Sequence, residues 1–315
     1  MLIIFLLGEI ITNGNILKSL NKKKKYVVVS IMGGLGDQIN QYIFGKYVEK
    51  KFNLNVCYDL TYYNYKPQFS FKLNNFKVNE KFKKNIFFSL PYKYISLLRY
   101  FSKIKPLIKI LSKKRISNFY YENWKINENL KINKIKDKTY FFGYWHHKDY
   151  YLFNKKFLKN TLRLKKKSYK MNRIISKIKK DDVAIHIRGK DFLNDIHAVQ
   201  LNEKYYENAI KKFLNRKRNF YIFTDDPKHS KKILANINKI KPIFVYDYKL
   251  KDTEEFQLLQ EFKFLVLSNS TFGWTSSLLN RNKKKIIIPR NWYFGIKNIN
   301  NRKIKEMKTI NNEKN

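Results

Sequence analysis

Short apolar runs alternate with helix-like segments along almost the whole chain, and the runs end in polar, glycine- or proline-bearing loops. Val183–Ile187, Asn219–Thr224, Ile243–Tyr246, Phe264–Leu267 and Lys285–Ile288 read as strands. Between them, helices are predicted from about Glu203 to Asn215, over 228–237 and from Thr253 to Glu261. Runs so rich in Val, Ile and Phe suit strands buried on both faces, where helices cover the sheet. A helix between successive strands is also the crossover that parallel pairing requires. The pattern constrains the chain to an α/β fold built on parallel sheets.

The first half opens in the same way. Residues 26–32, YVVVSIM, form a continuous apolar run, followed by Gly33, Gly34, Leu35 and Gly36. A helix is predicted from Asp37 or Gln38 to about Lys51, because Ile39, Tyr42, Ile43, Lys46 and Tyr47 recur at helical spacing. Asn55–Tyr58 reads as the next strand, Tyr140–Trp145 as a later one, and Asp149–Lys170 as the passage between domains. The expected organisation is an extension over 1–25, a first domain over 26–160, a second over 161–300 and a basic tail over 301–315. At 315 residues, each domain can bury a core of its own. The glycine turn either lets a phosphate approach the amides of a helix start or serves tight packing alone. GGLGDQ is not the dinucleotide fingerprint, which needs another glycine three residues after Gly36, and no GK[ST] makes it a P-loop.

A formal charge of +43 directs attention to nucleic acid, anionic membranes and acidic substrates. The excess is nearly all lysine, and Asn, Ile, Phe and Tyr are abundant beside it, a set encoded by A- and T-rich codons. Part of the charge is therefore read as genome composition. No RNP string, zinc-knuckle spacing or helix-turn-helix pattern supports nucleic-acid binding. A single cysteine, Cys57, excludes an internal disulfide and a Cys-based zinc site. The pair His146–His147 makes no metal site either, since strand neighbours face opposite ways and no carboxylate completes a set. Met1–Ile11 is apolar but shorter than the about 20 residues of a bilayer span. Lys22 to Lys25 follow it, where a signal peptide carries its basic residues ahead. Tyr94–Lys105 reads as a basic amphipathic helix, packed on the core with a solvated face or lying on anionic lipid.

The run Val183–Ile187 carries His186 and leads into Arg188, Gly189, Lys190, Asp191 and Phe192. In open α/β sheets, ligands bind at the carboxyl ends of strands, where this string falls. Arg188 offers a permanent planar charge to a phosphate, and His186 and Asp191 can position hydroxyls or amides. The same string also suits a buried histidine beside a surface Arg–Asp pair.

Four strings at strand ends stand in order: GGLGDQINQYIFGKY (33–47), HIRGKDF (186–192), YIFTDD (221–226) and SNSTFGWTSSLLN (268–280), with FFGYWHHKDYY (141–151) among them. Together they resemble the α-1,2-fucosyltransferases of glycosyltransferase family 11, over roughly residues 26–292. The resemblance implies a GT-B-like fold, two Rossmann-type doubly wound domains facing a cleft, with the nucleotide held largely by the second. It implies inverting transfer of L-fucose from GDP-fucose to the 2-hydroxyl of a galactose-type residue in a surface glycan. No metal is expected, and no cofactor beyond the donor substrate itself. Catalytic roles fall on Arg188, at the GDP phosphates, and on Asp191. Donor contacts fall on Gly34, Gly36, Gln38, His186, Arg188, Asp225, Ser270 and Thr271, with Asp225 accepting from guanine. Asp191 and Asp195 are the candidates for a general base, and Asp191 suits the orienting of Arg188 equally well. The expected partners are GDP-fucose and a lipid-linked, galactose-containing acceptor, met by a cytoplasmic enzyme in peripheral contact with the anionic inner face of a bacterial membrane. The alternatives are a transferase of this fold using another nucleotide sugar, and a non-catalytic basic protein bound to membrane or nucleic acid. The chain departs from the family pattern at Gly189-Lys190, where Arg-Gly is usual, at Asp37, usually Asn, and at Thr275, usually Trp. Asp37 suits the cap of the helix that follows.

Overall fold

The structure, a computed structural model, describes residues 26–80, 82–83, 119–122, 134–237, 239–294 and 299–312. The expected extension over 1–25 and the helix Tyr94–Lys105 lie outside the described residues. The chain divides into two compact units, one reaching Phe71 and resuming at Asn79–Trp145, the other made of Lys72–Val78 and the residues from His146 onward. The sequence pattern puts the division after residue 160 instead. Helices that it assigns to the passage pack with the second unit, and Lys77 and Phe76 are tied to Arg163 and Leu164 by backbone pairing.

In the first unit, β1 (Tyr26–Ser30), α1 (Leu35–Phe52), β2 (Asn55–Asp59), α2 (Tyr62–Tyr65), β3 (Phe82–Lys83), β4 (Phe119–Tyr121) and β5 (Tyr140–Phe142) form a parallel sheet ordered β3-β2-β1-β5-β4 with its helices. Val27, Val28 and Val29 are fully buried, as a central strand covered on both faces requires. Phe44 of α1 stacks on Trp145 with ring centroids 3.9 Å apart, and Phe141 meets Phe44 edge-on at 5.2 Å. Helix α1 starts earlier than its periodicity suggests. Gly33 takes φ +74°, turning the chain at once, so Gly34 becomes the N-cap and Asp37 falls inside the first turn rather than at the cap. The predicted strand Tyr140–Trp145 stops at Phe142, because Glu122 Oε2 draws the Tyr144 and Trp145 amides into a turn at 2.5 and 2.7 Å.

The second unit comprises α3 (Lys148–Phe153), α4 (Lys155–Thr161), α5 (Tyr169–Ile175), β6 (Val183–Ile187), α6 (Glu203–Lys211), β7 (Phe220–Thr224), α7 (Pro227–Leu234), β8 (Pro242–Phe244), α8 (Asp252–Leu258), β9 (Phe264–Val266), α9 (Thr271–Leu279), β10 (Lys285–Pro289) and β11 (Met307–Ile310). Its sheet is parallel and ordered β11-β10-β9-β6-β7-β8. The chain runs outward from β6 through β8, returns to lay β9 beside β6, and runs outward the other way. The reversal leaves a switch point between β6 and β9, where doubly wound sheets bind ligands beyond their strand ends. The tail expected over 301–315 contains β11, which pairs with β10 and buries Met307 while Lys308 stays exposed. Alternation along β6 sends Val183, Ile185 and Ile187 into a cluster with Tyr206, Ile210 and Ile222, and His186 to the opposite face. Each such fully buried aliphatic side chain contributes about 1.5–3 kcal/mol, which holds the strand and fixes where its carboxyl end emerges.

Candidate functional site

Three strand ends of the second unit meet at the switch point. From β6 comes His186, buried beneath α9, whose ring stacks on Phe272 with centroids 5.6 Å apart. Its Nδ1 lies 2.8 Å from Ser268 Oγ, at the end of β9. Burial, and then the charge of Arg188, push this imidazole down to about 3, so it is neutral at physiological pH. It is a packed, hydrogen-bonded link between two strands.

Arg188 and Asp225 follow β6 and β7, which are hydrogen-bonded neighbours. The guanidinium Nη1 donates to Asp225 Oδ2, and the Gly189 amide donates to Oδ1 at 2.8 Å. Both side chains are partly exposed, at 30% and 22%. Asp225 thus orients a planar cation that still faces outward. Both carboxylate oxygens of Asp225 are engaged by its own chain. Asp226 caps α7 by accepting from the His229 amide at 3.0 Å, and also accepts from Lys190 N at 3.4 Å. Those bonds, the His229 amide foremost, hold its carboxyl below the usual carboxylate range. A Cβ on Gly189 would stand 2.4 Å from Asp226 Cβ, so only glycine fits this crossing.

From β9 the chain passes through Ser268, Asn269 and Ser270 into α9. Asn269 Nδ2 donates to Val199 O at 2.8 Å and Trp292 O at 2.9 Å, stapling the loops after β6 and β10 beneath the helix start. Ser270 is the N-cap and makes no side-chain cap bond; Thr271 is the first helical residue. First-turn amides have no partner inside a helix, and with the helix dipole they favour an anion. Thr275 is fully buried, so the departure from the family pattern there lies in the core.

Other expected residues stand elsewhere. Asp191 lies on the 3-10 turn Lys190–Asn194, and its side chain is outside the described set. Asp195 Oδ1 accepts from the His197 amide at 2.9 Å in the following turn. Gly34, Gly36 and Gln38 belong to the first unit. There Gln38 is fully buried and donates to Gly33 O at 3.1 Å and Ser70 O at 2.9 Å, holding the glycine turn in place. Gln41, which the sequence reading passed over, accepts from Met32 N at 2.8 Å and donates to Gly143 O at 3.1 Å, bridging the ends of β1 and β5. Among the described residues, no three His, Cys, Asp or Glu side chains gather to hold a metal ion. The second-unit arrangement can clasp a diphosphate between a fixed guanidinium and a helix N-terminus, where developing negative charge is stabilised.

The family model described as glycosyl transferase family 11 matches residues 26–307. An α-1,2-colitosyltransferase of Escherichia coli is 25% identical over 286 residues, covering 85% of this chain and 92% of that protein. The O-antigen biosynthesis glycosyltransferase WbnK of Escherichia coli is 24% identical over 293 residues, covering 84% of this chain and 94% of its own length. Among solved structures, NodZ α-1,6-fucosyltransferase soaked with GDP-fucose aligns with a TM-score of 0.48 at 11% identity, covering 84% of this chain and 94% of that one.

Proposed function

Because the chain belongs to glycosyl transferase family 11, we propose that it transfers L-fucose from GDP-fucose to the 2-hydroxyl of a galactose-type residue, with inversion. The observation that carries this reading is the Arg188–Asp225 pair standing across the β6–β9 switch point from the free amino end of α9. The acceptor oxygen forms its bond to the anomeric carbon as the bond from that carbon to the β-phosphate oxygen breaks. The electron pair leaves with GDP, where Arg188 and the amides of Ser270 to Gly273 meet the added charge. The fucosyl centre acquires oxocarbenium character, as in glycoside hydrolysis. The acceptor's proton departs to a base that no described side chain identifies.

The acceptor in this reading is a lipid-linked surface glycan, consistent with the role of WbnK in O-antigen biosynthesis. A second reading, transfer of a colitosyl rather than a fucosyl group, is favoured by the α-1,2-colitosyltransferase relative. The charge stabilisation described needs no metal ion.

The test combines thermal-shift measurements on GDP, UDP and ADP with transfer assays using GDP-fucose and GDP-colitose. GDP is expected to raise the melting temperature most, and fucose transfer in excess EDTA to match the untreated rate. A rate that collapses in EDTA and returns with Mn²⁺ would sink the metal-free mechanism. Stabilisation by UDP or ADP alone would overturn the donor assignment.

A further inference from the structure

Helix α9 leaves the carboxyl end of β9 and delivers the chain to the start of β10, so its two ends lie at opposite edges of the second sheet. Its nine residues reach about 13 Å. The first end belongs to the switch point. Beside the other lies a cavity of about 180 Å³, lined by Lys159 of α4, Arg163, Arg281, Glu261 and the buried amides of Gln257 and Gln260. Three cations thus line one cavity. The acid among them is already taken, since Glu261 Oε1 accepts from Lys167 Nζ at 3.2 Å.

Most of the charge at this end serves the fold. The last carbonyls of a helix attract cations, and Lys283 Nζ donates to Ser277 O at 3.1 Å, Leu278 O at 2.7 Å and Asn280 O at 3.1 Å. Lys159 Nζ donates to the same Asn280 O at 3.2 Å. Arg281 Nη2 donates to Lys159 O at 3.0 Å and to Asn160 Oδ1, tying the end of α9 to the end of α4. Arg163 is different. Its backbone is held, because Lys77 N donates to its carbonyl at 2.8 Å. Its half-buried guanidinium makes no hydrogen bond or ion pair among the described residues. Five donors withdrawn from water without an acceptor are unfavourable unless something supplies oxygens. Neighbouring charges press the same way. Burial, and then Lys155 and Arg281, lower Lys159 from the usual lysine range. Burial, and then Lys159, bring Lys283 down to about 7. Glu306 opposes both shifts without cancelling either.

We propose that this cavity is a second anion site, which takes one phosphate group at the amino edge of the second sheet. It stands apart from the diphosphate clasp and does not depend on what that clasp holds. The planar fork of Arg163 matches two oxygens of a tetrahedral anion, and Lys159 and Arg281 add charge beside it. Three cations against one paired acid favour a doubly charged phosphate over a carboxylate. Inorganic phosphate and the headgroup of phosphatidic acid share this chemistry.

The experiment titrates inorganic phosphate by calorimetry, at fixed ionic strength, into the full-length wild type, Arg163→Gln, Arg163→Lys and Arg188→Ala. Melting curves are recorded for each in phosphate-free buffer. Arg163→Gln is expected to bind phosphate about ten- to a hundredfold more weakly, the worth of a hydrogen bond to a charged group, and to melt no lower than the wild type. Arg163→Lys keeps the charge without the fork and should fall between the two. Arg188→Ala should keep the cavity's phosphate. Co-sedimentation with vesicles of phosphatidic acid in phosphatidylcholine separates the sources, with Lys156→Gln, an exposed lysine of α4 outside the cavity, as the control for loss of one charge. Vesicle binding weakened further by Arg163→Gln than by Lys156→Gln assigns the site to the lipid headgroup, and equal weakening beside lost phosphate binding assigns it to free phosphate. Phosphate binding lost in Arg188→Ala but kept in Arg163→Gln would leave the switch point as the sole anion site, overturning this proposal while the proposed function stands. Lower melting in both Arg163 variants would make the residue structural and overturn it as well. So would phosphate and vesicle binding that are both indifferent to Arg163→Gln.

Discussion

Arg188 and Asp225 divide one task between them. The carboxylate fixes the plane of the guanidinium, and in the proposed reaction the partly exposed guanidinium meets the diphosphate. In Arg188→Lys the charge survives but the planar fork does not, so transfer should fall nearly as far as in Arg188→Ala, by about 10²–10³. Asp225→Asn should also slow transfer, while leaving the preference for GDP over UDP unchanged, because its oxygens serve Arg188 and Gly189. Kinetics with both nucleotides as inhibitors decide this; selective loss of GDP inhibition would return Asp225 to reading guanine. His186 gives a different signature. Its folded-state value near 3 lies below that of an unfolded histidine, about 6.5. As pH falls below about 6.5 the unfolded chain takes up a proton that the folded one refuses until about 3. Stability present above that window is therefore lost at up to about 1.4 kcal/mol per pH unit within it. Melting curves between pH 7 and pH 5 should slope less in His186→Asn than in the wild type, and parallel slopes would show that this histidine is not the source.

Elements matter here through their ends. The loop after β6 is held by Gly189 against the N-cap of α7, and the start of α9 is held by Asn269 against the loops after β6 and β10. Gly189→Ala brings a Cβ to 2.4 Å from Asp226 Cβ, and Asp226 is committed to the His229 amide. The loop must move, at a typical overpacking cost of about 1–3 kcal/mol, and it carries Arg188 with it. A lowered melting temperature together with lost transfer is expected. Gly34→Ala supplies the contrast, since a Cβ there meets nothing within 4 Å. Gly34 is an N-cap, where alanine is less favourable than glycine, so a small drop in melting temperature is expected, less than in Gly189→Ala; an equal loss in both variants would show that the Asp226 contact is not the cause.

The whole molecule carries +43, and no helix among the described residues is long and apolar enough to cross a membrane. If the charge brings a lipid-linked acceptor within reach, the protein should sediment with anionic but not neutral liposomes at low salt. Binding should fade as ionic strength shortens the screening length to about 8 Å. Equal recovery with both vesicle types would leave the charge as a trace of genome composition.

Period and turn chemistry are local properties, and they determined much of what was legible in this chain. Continuous Val and Ile runs marked β1, β6 and β10, and the polar strings after β6, β7 and β9 marked where a site belongs. Local pattern failed where a decision depended on distant partners. Met307–Ile310 looks like part of a basic tail until Ile286 is there to pair with Met307. The return of β9 to the side of β6, which creates the switch point, is a matter of strand order, on which periodicity is silent. Asp225 reads as a base-recognising acid in its own string; only the packing of β7 on β6 brings it to Arg188, 37 positions away. Local chemistry determined which residues were able to act; long-range packing decided which were already bound to their own chain and which were left to meet a ligand.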